Sequence, residues 1–303
     1  MSAGEMPSGD ASGTLEVSVV IPTFARPELL AVALRCVRRQ SVQPKETLVI
    51  NNGPDRLPPL DELQAPGVKV MEMLSFAGAA QARNFGASLA RGDYIAFLDD
   101  DDLWEEDYLK KVTARIAATN ADCVIARLDQ MLGDETRPYK LYDPLRTQQI
   151  LVRNPGVTGS STVVRRSAFF AVGGYDPRLV PSEDKSLVLE LLLKGFSVCA
   201  APHAQAIMRQ HQGARLSNPE YLAEGIRQFL RKYGWLMTPG ERAFNRFKIA
   251  RHRYRMRRQV RFLAAAAAHR TLYRALLRSR DLTQYGGEIP ALARNGQARP
   301  ERG

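Results

Sequence analysis

Four consecutive aspartates, Asp99 to Asp102, follow the mostly apolar run Tyr94 to Leu98 in the stretch YIAFLDDDDLWEED, and this junction restricts the fold more than any other feature. Adjacent carboxylates repel one another, so a packed domain gains nothing from such a row unless positive charge sits against it. The apolar run reads as a buried strand. A strand delivering acid at its carboxyl end suits an α/β sheet, where ligands bind at that edge.

The preceding residues support such a sheet. LEVSVVIP, residues 15 to 22, is a β-branched run stopped by proline. PELLAVALRCVRRQ then offers Pro27 for a first helical turn and Leu30, Leu34 and Val37 on one face. ETLVI and GVKVMEML read as the second and third strands, with NNGP as a turn after the second. GAAQARNFGASLARG reads as a helix with Ala82, Phe85 and Leu89 as its apolar stripe, and DYIAFL as the fourth strand. Strands alternating with helices indicate an α/β domain with a mostly parallel sheet. The loops TFAR, NNGP and DDDD each follow a strand and should gather at one edge. In an extended segment Asp99 and Asp101 would point together and Asp100 away, a pairing that suits a hard cation such as Mg²⁺ or Mn²⁺.

Charge divides the chain. Residues 216 to 303 carry 19 lysines and arginines against 6 acidic residues, leaving 24 against 26 for residues 1 to 215. The net charge of +11 therefore belongs to the tail, and a boundary is expected near Leu216. The 45% apolar and 25% charged shares are those of a soluble globular protein. Cys36, Cys123 and Cys199 have no paired spacing, which fits a reducing cytoplasm. Residues 1 to 14 have neither a basic start nor an apolar core and read as a disordered lead rather than a signal. No apolar run approaches the roughly 18 residues that would suggest a bilayer span.

In order along the chain, VSVVIPTFARPELL, LVINNGP, ARNFGASLARGDYIAFLDDDDLW, GGYDPRLVPSEDKSLVLELLLKG and MRQHQGARLS resemble the family 2 glycosyltransferases of the GT-A fold. The resemblance covers roughly residues 16 to 217. It implies a Rossmann-like, mostly parallel sheet flanked by helices over residues 15 to 217, while the basic region over 218 to 303 reads from its own residues as mainly helical. The resemblance also implies a UDP- or TDP-sugar donor, inversion at the anomeric centre and a divalent metal, Mn²⁺ or Mg²⁺, on the diphosphate. The acceptor would be a hydroxyl of a glycan or a lipid-linked molecule.

By the same resemblance Asp101 is the direct metal ligand, and Asp99 holds the ribose or the metal shell, with Asp100 beside them. Asp102 either continues the motif or caps a following helix, LWEEDYLKKVTARIAA. Pro22, Thr23 and Phe24 would line the base site with Arg26 close by, although Pro22 could simply stop its strand. At Asn51 many family members carry an aspartate, and here Asn51 and Asn52 bring an amide without charge. Arg83 and Asn84 match the family's Arg-Asn pair, where arginine approaches the donor; a surface salt bridge is the alternative for Arg83. Ser182 can cap a helix whose first turn holds Glu183 and Asp184. The resemblance makes Asp184 the base and Glu183 its helper, while the helix dipole alone would also favour both acids and would depress their pKa. His211 falls where family members often carry a histidine near the metal or diphosphate, and could equally be structural.

In the tail, RFKIARHRYRMRRQVRFL carries an imperfect stripe of Ile249, Met256, Val260 and Leu263, interrupted by Arg253. Three readings compete: a helical cap on the domain, an anionic-membrane surface that would place the protein peripherally on the cytoplasmic face, and a nucleic-acid contact, the least favoured. The rival to an enzyme is a nucleic-acid- or membrane-binding adaptor on a degenerate transferase fold. Isoprenoid synthases place their aspartates on helices, and a nucleotidyltransferase should show a glycine-rich loop that IPTFARPE lacks.

Overall fold

Strand β1, Val17–Thr23, is buried along its whole length, as its run of valine and isoleucine requires of a strand covered on both faces. The computed structural model describes residues 15–74, 76–133, 135–138, 141, 145–209 and 219–278. Helix α1 (Pro27–Arg38) buries Leu30, Leu34 and Val37, the expected stripe. Strands β2 (Glu46–Asn51) and β3 (Val68–Glu72), helix α2 (Ala79–Leu89) and strand β4 (Tyr94–Phe97) follow. Next come β5 (Asp102–Trp104), α3 (Tyr108–Thr119), β6 (Cys123–Leu132), β7 (Glu135–Pro138), α4 (Thr147–Val152), β8 (Thr162–Arg165), α5 (Arg166–Ala171), α6 (Glu183–Leu193) and β9 (Val198–Arg209). Three helices complete the described chain: α7 (Pro219–Tyr233), α8 (Pro239–Arg257) and α9 (Val260–Arg278).

The sheet runs β3-β2-β1-β4-β8-β6-β9-β5, with β7 beside β6. Its first four strands are parallel, and β8 enters antiparallel to both β4 and β6. The parallel part ends its strands on the loops that begin at Phe24, Asn52 and Leu98. Helices α1 and α3 cover one face, through Leu30, Leu34, Val112 and Ile116. Helices α2, α4, α5, α6 and α7 cover the other, through Ala82, Ile150, Phe169, Leu187 and Phe229.

Several local expectations are corrected. Strand β1 runs through Pro22 to Thr23. Its pairing with β4 stops at Val20, so the donor that proline lacks falls where that neighbour has ended. The helix expected directly after the aspartates begins only at Tyr108, because Asp102, Leu103 and Trp104 pair with β9. Asp102 is therefore no helix cap. In α2 the buried face is Ala80, Ala82, Arg83, Gly86 and Ala87, while Phe85 and Leu89 are exposed. Gly86 explains this face: a Cβ there would meet Val20 Cγ1 and, at 3.0 Å, Ile50 Cγ1, so the helix lies too close to the sheet for large side chains.

The described part of the tail, residues 219–278, is helical, but its basic segment is not one helix. Arg258 adopts a left-handed conformation, φ 52°, and turns α8 back into α9. Phe229, Tyr233 and Met237 join the same core as α6. Asn245 Nδ2 donates to the Leu151 carbonyl at 3.0 Å and Lys248 Nζ to that of Val152 at 2.6 Å, tying α8 to α4. Met256, Val260 and Leu263 of the expected stripe are exposed around the turn.

Alanine at Gly86 should improve helix propensity by about 1 kcal/mol, yet overpacking in a filled core costs about 1–3 kcal/mol. Gly86→Ala is therefore expected to lower the thermal midpoint. A raised midpoint would show that α2 does not approach β1 this closely.

Candidate active site

The loop after β4 does not stay extended. The Asp102 N–H donates to the Asp99 carbonyl at 3.0 Å, closing a turn. One carboxylate oxygen from each of Asp99, Asp101 and Asp102 thereby comes within 4.8 Å of the others. Asp100 turns the other way, accepting from Thr23 Oγ1 at 2.7 Å and pairing with Arg26 Nη2 at 2.6 Å. Asp99 and Asp101 do come together and Asp100 does diverge, but through a turn that also brings in Asp102 and not through the extended segment that the alternation argument assumed.

Positive charge does meet the row. Arg26, just before α1, spans Asp100 and, through Nη1 at 2.9 Å, Asp101. Arg209, at the end of β9, donates to the Asp101 carbonyl at 2.8 Å and to that of Asp100 at 3.3 Å. Arg83, far from being a surface salt bridge, is buried. Its Nη2 lies 2.5 Å from Asp99 Oδ1, and its Nη1 stands 3.7 Å from both Glu183 Oε1 and Asp184 Oδ1. One guanidinium therefore joins the acid row on the β4 loop to the acid pair that opens α6. Gly159 makes room for it, since a Cβ there would lie 2.8 Å from Arg83 Nη2.

The two asparagines at the end of β2, Asn51 within the strand and Asn52 just beyond it, differ. Asn51 is spent internally: Nδ2 donates to the Asp55 carbonyl at 2.8 Å and to Glu72 Oε2 at 2.7 Å, and Oδ1 accepts from the Gly53 N–H at 3.1 Å. Asn52 is buried too, and its Oδ1 has no hydrogen-bond partner among the described residues. Phe24 is partly exposed beside it on the next loop. Asn84 is also committed to structure, since its amide exchanges two hydrogen bonds with the Tyr175 backbone, at 2.8 and 2.9 Å. Ser182 occupies the position before α6, but its side chain makes no cap bond. His211 lies outside the described residues.

Ser160 is the residue that sequence reasoning passed over. Its Oγ accepts from the Asp99 N–H at 3.0 Å and donates to Asp102 Oδ2 at 2.6 Å. Its carbonyl receives Trp104 Nε1 at 2.7 Å and Tyr108 Oη at 3.2 Å. The segment GSS before β8 thus fixes the aspartate turn from behind. A lone serine in a small polar segment carries no sequence signal of that role.

The family model for glycosyl transferase family 2 matches residues 18–172, just over half of the chain. The chain belongs to that family. An uncharacterized glycosyltransferase of Haemophilus influenzae is 24% identical over 181 residues, covering 58% of this chain and 62% of that protein. The amylovoran biosynthesis glycosyltransferase AmsB of Erwinia amylovora is 33% identical over 103 residues, covering 32% and 34%. Both matches thus span less than two thirds of the relative's length. Residues 1–349 of Staphylococcus aureus TarS, solved with UDP-GlcNAc, superpose with a TM-score of 0.60 at 17% identity, over 84% of this chain and 79% of that one. That likeness shows a shared GT-A-type fold.

In this family 2 chain six carboxylates, those of Asp99, Asp100, Asp101, Asp102, Glu183 and Asp184, gather at the site. Among the described residues Arg26 pairs with Asp100 and Asp101, Arg83 with Asp99, Glu183 and Asp184, and Arg209 bonds to the backbone of Asp100 and Asp101. Burial, opposed by Arg26 and Thr23, pushes the Asp100 carboxyl up to about 6. Burial likewise raises Glu183 and Asp184, Asp184 further through repulsion from Glu183 and Asp99, against the pull of Arg83. Buried polar atoms without hydrogen bonds are rare, and among the described residues Arg83 Nη1, Glu183 Oε2, Asp184 Oδ1 and Asn52 Oδ1 make none, although Arg83 Nη1 and Asp184 Oδ1 face each other at 3.7 Å. The oxygen set of Asp99, Asp101 and Asp102 fits a hard divalent cation.

Proposed function

We propose that the chain is an inverting, metal-dependent glycosyltransferase that moves a sugar from a nucleotide-sugar donor to a hydroxyl acceptor. The observation that carries this reading is Arg83, held between the acid row and the acid pair of α6. Inversion by direct displacement needs a base on one side of the sugar and stabilisation of the leaving diphosphate on the other. Arg83 sets two acid groups of different environment on either side of one cation.

Asp101 and Asp99 would hold Mn²⁺ or Mg²⁺, with Asp102 adding an oxygen and His211 proposed as a further ligand. When bound, the cation supplies positive charge against the departing diphosphate. Arg26 would then leave Asp101 and turn to the donor's negative charge, staying anchored by Asp100. Pro22, Thr23, Phe24, Asn51 and Asn52 would form the nucleoside end. Of the two amides, Asn52 has the free acceptor for a base N–H, while Asn51 would shape the turn that presents it. Arg83 would orient the base and meet the donor, and Asn84 would hold the turn at Tyr175 in place.

Asp184 would take the acceptor proton. The helix dipole favours its ionised form, but burial outweighs this and raises its pKa, the direction a base near neutrality needs. Glu183, more deeply buried, would position it. The TarS complex with UDP-GlcNAc supports a UDP-sugar donor, and the name of AmsB supports an acceptor in polysaccharide synthesis.

No described helix is long and apolar enough to cross a membrane. We propose that residues 218 to 303 form a basic helical region that docks on anionic lipid and brings a lipid-linked acceptor to the site. The turn between α8 and α9 supports this reading: Met256, Val260 and Leu263 are exposed there beside exposed Arg255, Arg258 and Arg261. Basic residues near an anionic surface contribute roughly 1 kcal/mol each.

Asp184→Asn is expected to retain UDP binding and to lose transfer by about 10²-fold or more, as loss of a general base requires. In the wild type the rate should fall as pH drops through the raised Asp184 pKa, above the ordinary aspartate range. Undiminished turnover in the variant would remove Asp184 as the base and point to Glu183. For the tail, Val260→Glu with Arg261→Glu should abolish salt-sensitive co-sedimentation with phosphatidylserine vesicles while leaving UDP affinity unchanged. If the wild type stays in the supernatant at low salt, the tail does not dock on lipid.

A further inference from the structure

One aromatic residue at the edge of the site lies outside the core and has no assigned function. Phe76 is 73% exposed, and its backbone is left-handed, φ 64°. A non-glycine residue seldom accepts that conformation, and an exposed ring does not offset it. Its N–H donates to the Asn52 carbonyl at 3.0 Å, which pins the residue over the loop after β2. The ring meets that of Phe24 edge-on, with centroids 5.2 Å apart and planes at 61°. Phe24 is itself 36% exposed, so the two rings form a corner open to solvent.

The corner is continuous with the acid row. The Asn52 N–H donates to the Thr23 carbonyl at 3.0 Å, and Thr23 Oγ1 donates to Asp100 at 2.7 Å. Asn52, whose backbone bonds to both Phe76 and Thr23, also carries a buried Oδ1 with no hydrogen bond among the described residues. A flat ligand standing on Phe24 would be met at its edge by Phe76, would find an acceptor for a ring N–H at Asn52, and would have its anionic end directed to the acid row. These are the parts of a nucleoside diphosphate in the order in which they are joined.

We propose that Phe76 is a specificity-determining residue that closes the second wall of the donor's base site, and that with Asn52 it selects a pyrimidine bearing a ring N–H, as in uracil. The proposal rests on the donor reading above and adds a residue outside the motifs that suggested it. The left-handed backbone then has a reason, because it turns the ring towards Phe24 rather than out along the strand direction of β3.

Affinities of UDP, CDP and inorganic pyrophosphate, each with Mn²⁺, would be measured by calorimetry for the wild type, Phe76→Ala and Phe76→Tyr. An edge-to-face aromatic contact predicts a loss of roughly 2- to 10-fold for UDP in Phe76→Ala. Pyrophosphate should bind all three proteins equally, Phe76→Tyr should recover UDP affinity, and the wild type should prefer UDP to CDP. The ring is exposed, so the thermal midpoint of Phe76→Ala should not fall. Unchanged UDP affinity in Phe76→Ala, with the wild type binding UDP normally, overturns the role of Phe76 and leaves the donor reading standing. Failure of the wild type to bind either UDP or pyrophosphate overturns both.

Discussion

A guanidinium cut off from water organises this molecule's candidate site. Burying Arg83 carries a large desolvation penalty that nearby carboxylates must offset, and Asp99, Asp184, Tyr175 and Glu183 hold its pKa well above the ordinary arginine value against that burial. The pairing fixes more than charge. It requires α2 to lie close to the sheet, which Gly86 allows, and Gly159 to stand beside the guanidinium. It also requires α6 to present its first turn toward the β4 loop. Removing Arg83 would leave Asp99, Glu183 and Asp184 repelling one another in a confined space.

The acid row behaves as a second, looser version of the same problem. Arg26 neutralises Asp100 and Asp101 from the loop before α1, and Arg209 holds the backbone beneath them. Arg26 is more exposed than Arg83 and can change partner more readily. The site is thus ordered by arginines drawn from three separate elements.

Much of this was legible in the sequence because it depends on short-range pattern. The β-branched runs at residues 17–23 and 46–51 and the apolar residues before Asp99 gave the parallel half of the sheet and the edge where the loops meet. The gathering of Asp99 with Asp101 followed, as did the acid pair opening α6. What stayed hidden depends on contacts distant in sequence. Ser160 earns its place only through Asp99, Asp102, Trp104 and Tyr108. Asn51 and Asn84 look like ligand groups until Asp55, Glu72 and the Tyr175 backbone are seen to occupy them. The small-residue face of α2 defeats a hydrophobic-stripe argument because close approach selects against bulk, and the turn at Arg258 interrupts a tail that reads mainly as helix.

The central claim is that the acid row and Arg83 together form a site for a metal-bound nucleoside diphosphate. Calorimetric titration of the wild-type chain with UDP, in the presence and absence of Mn²⁺, tests it most directly. The arrangement of Asp99, Asp101 and Asp102 predicts tight, saturable UDP binding with the cation and a marked loss of affinity without it. Equal affinity in the two conditions would contradict the account, because the arginines alone would then suffice for the diphosphate and the acid row would have no cation to hold.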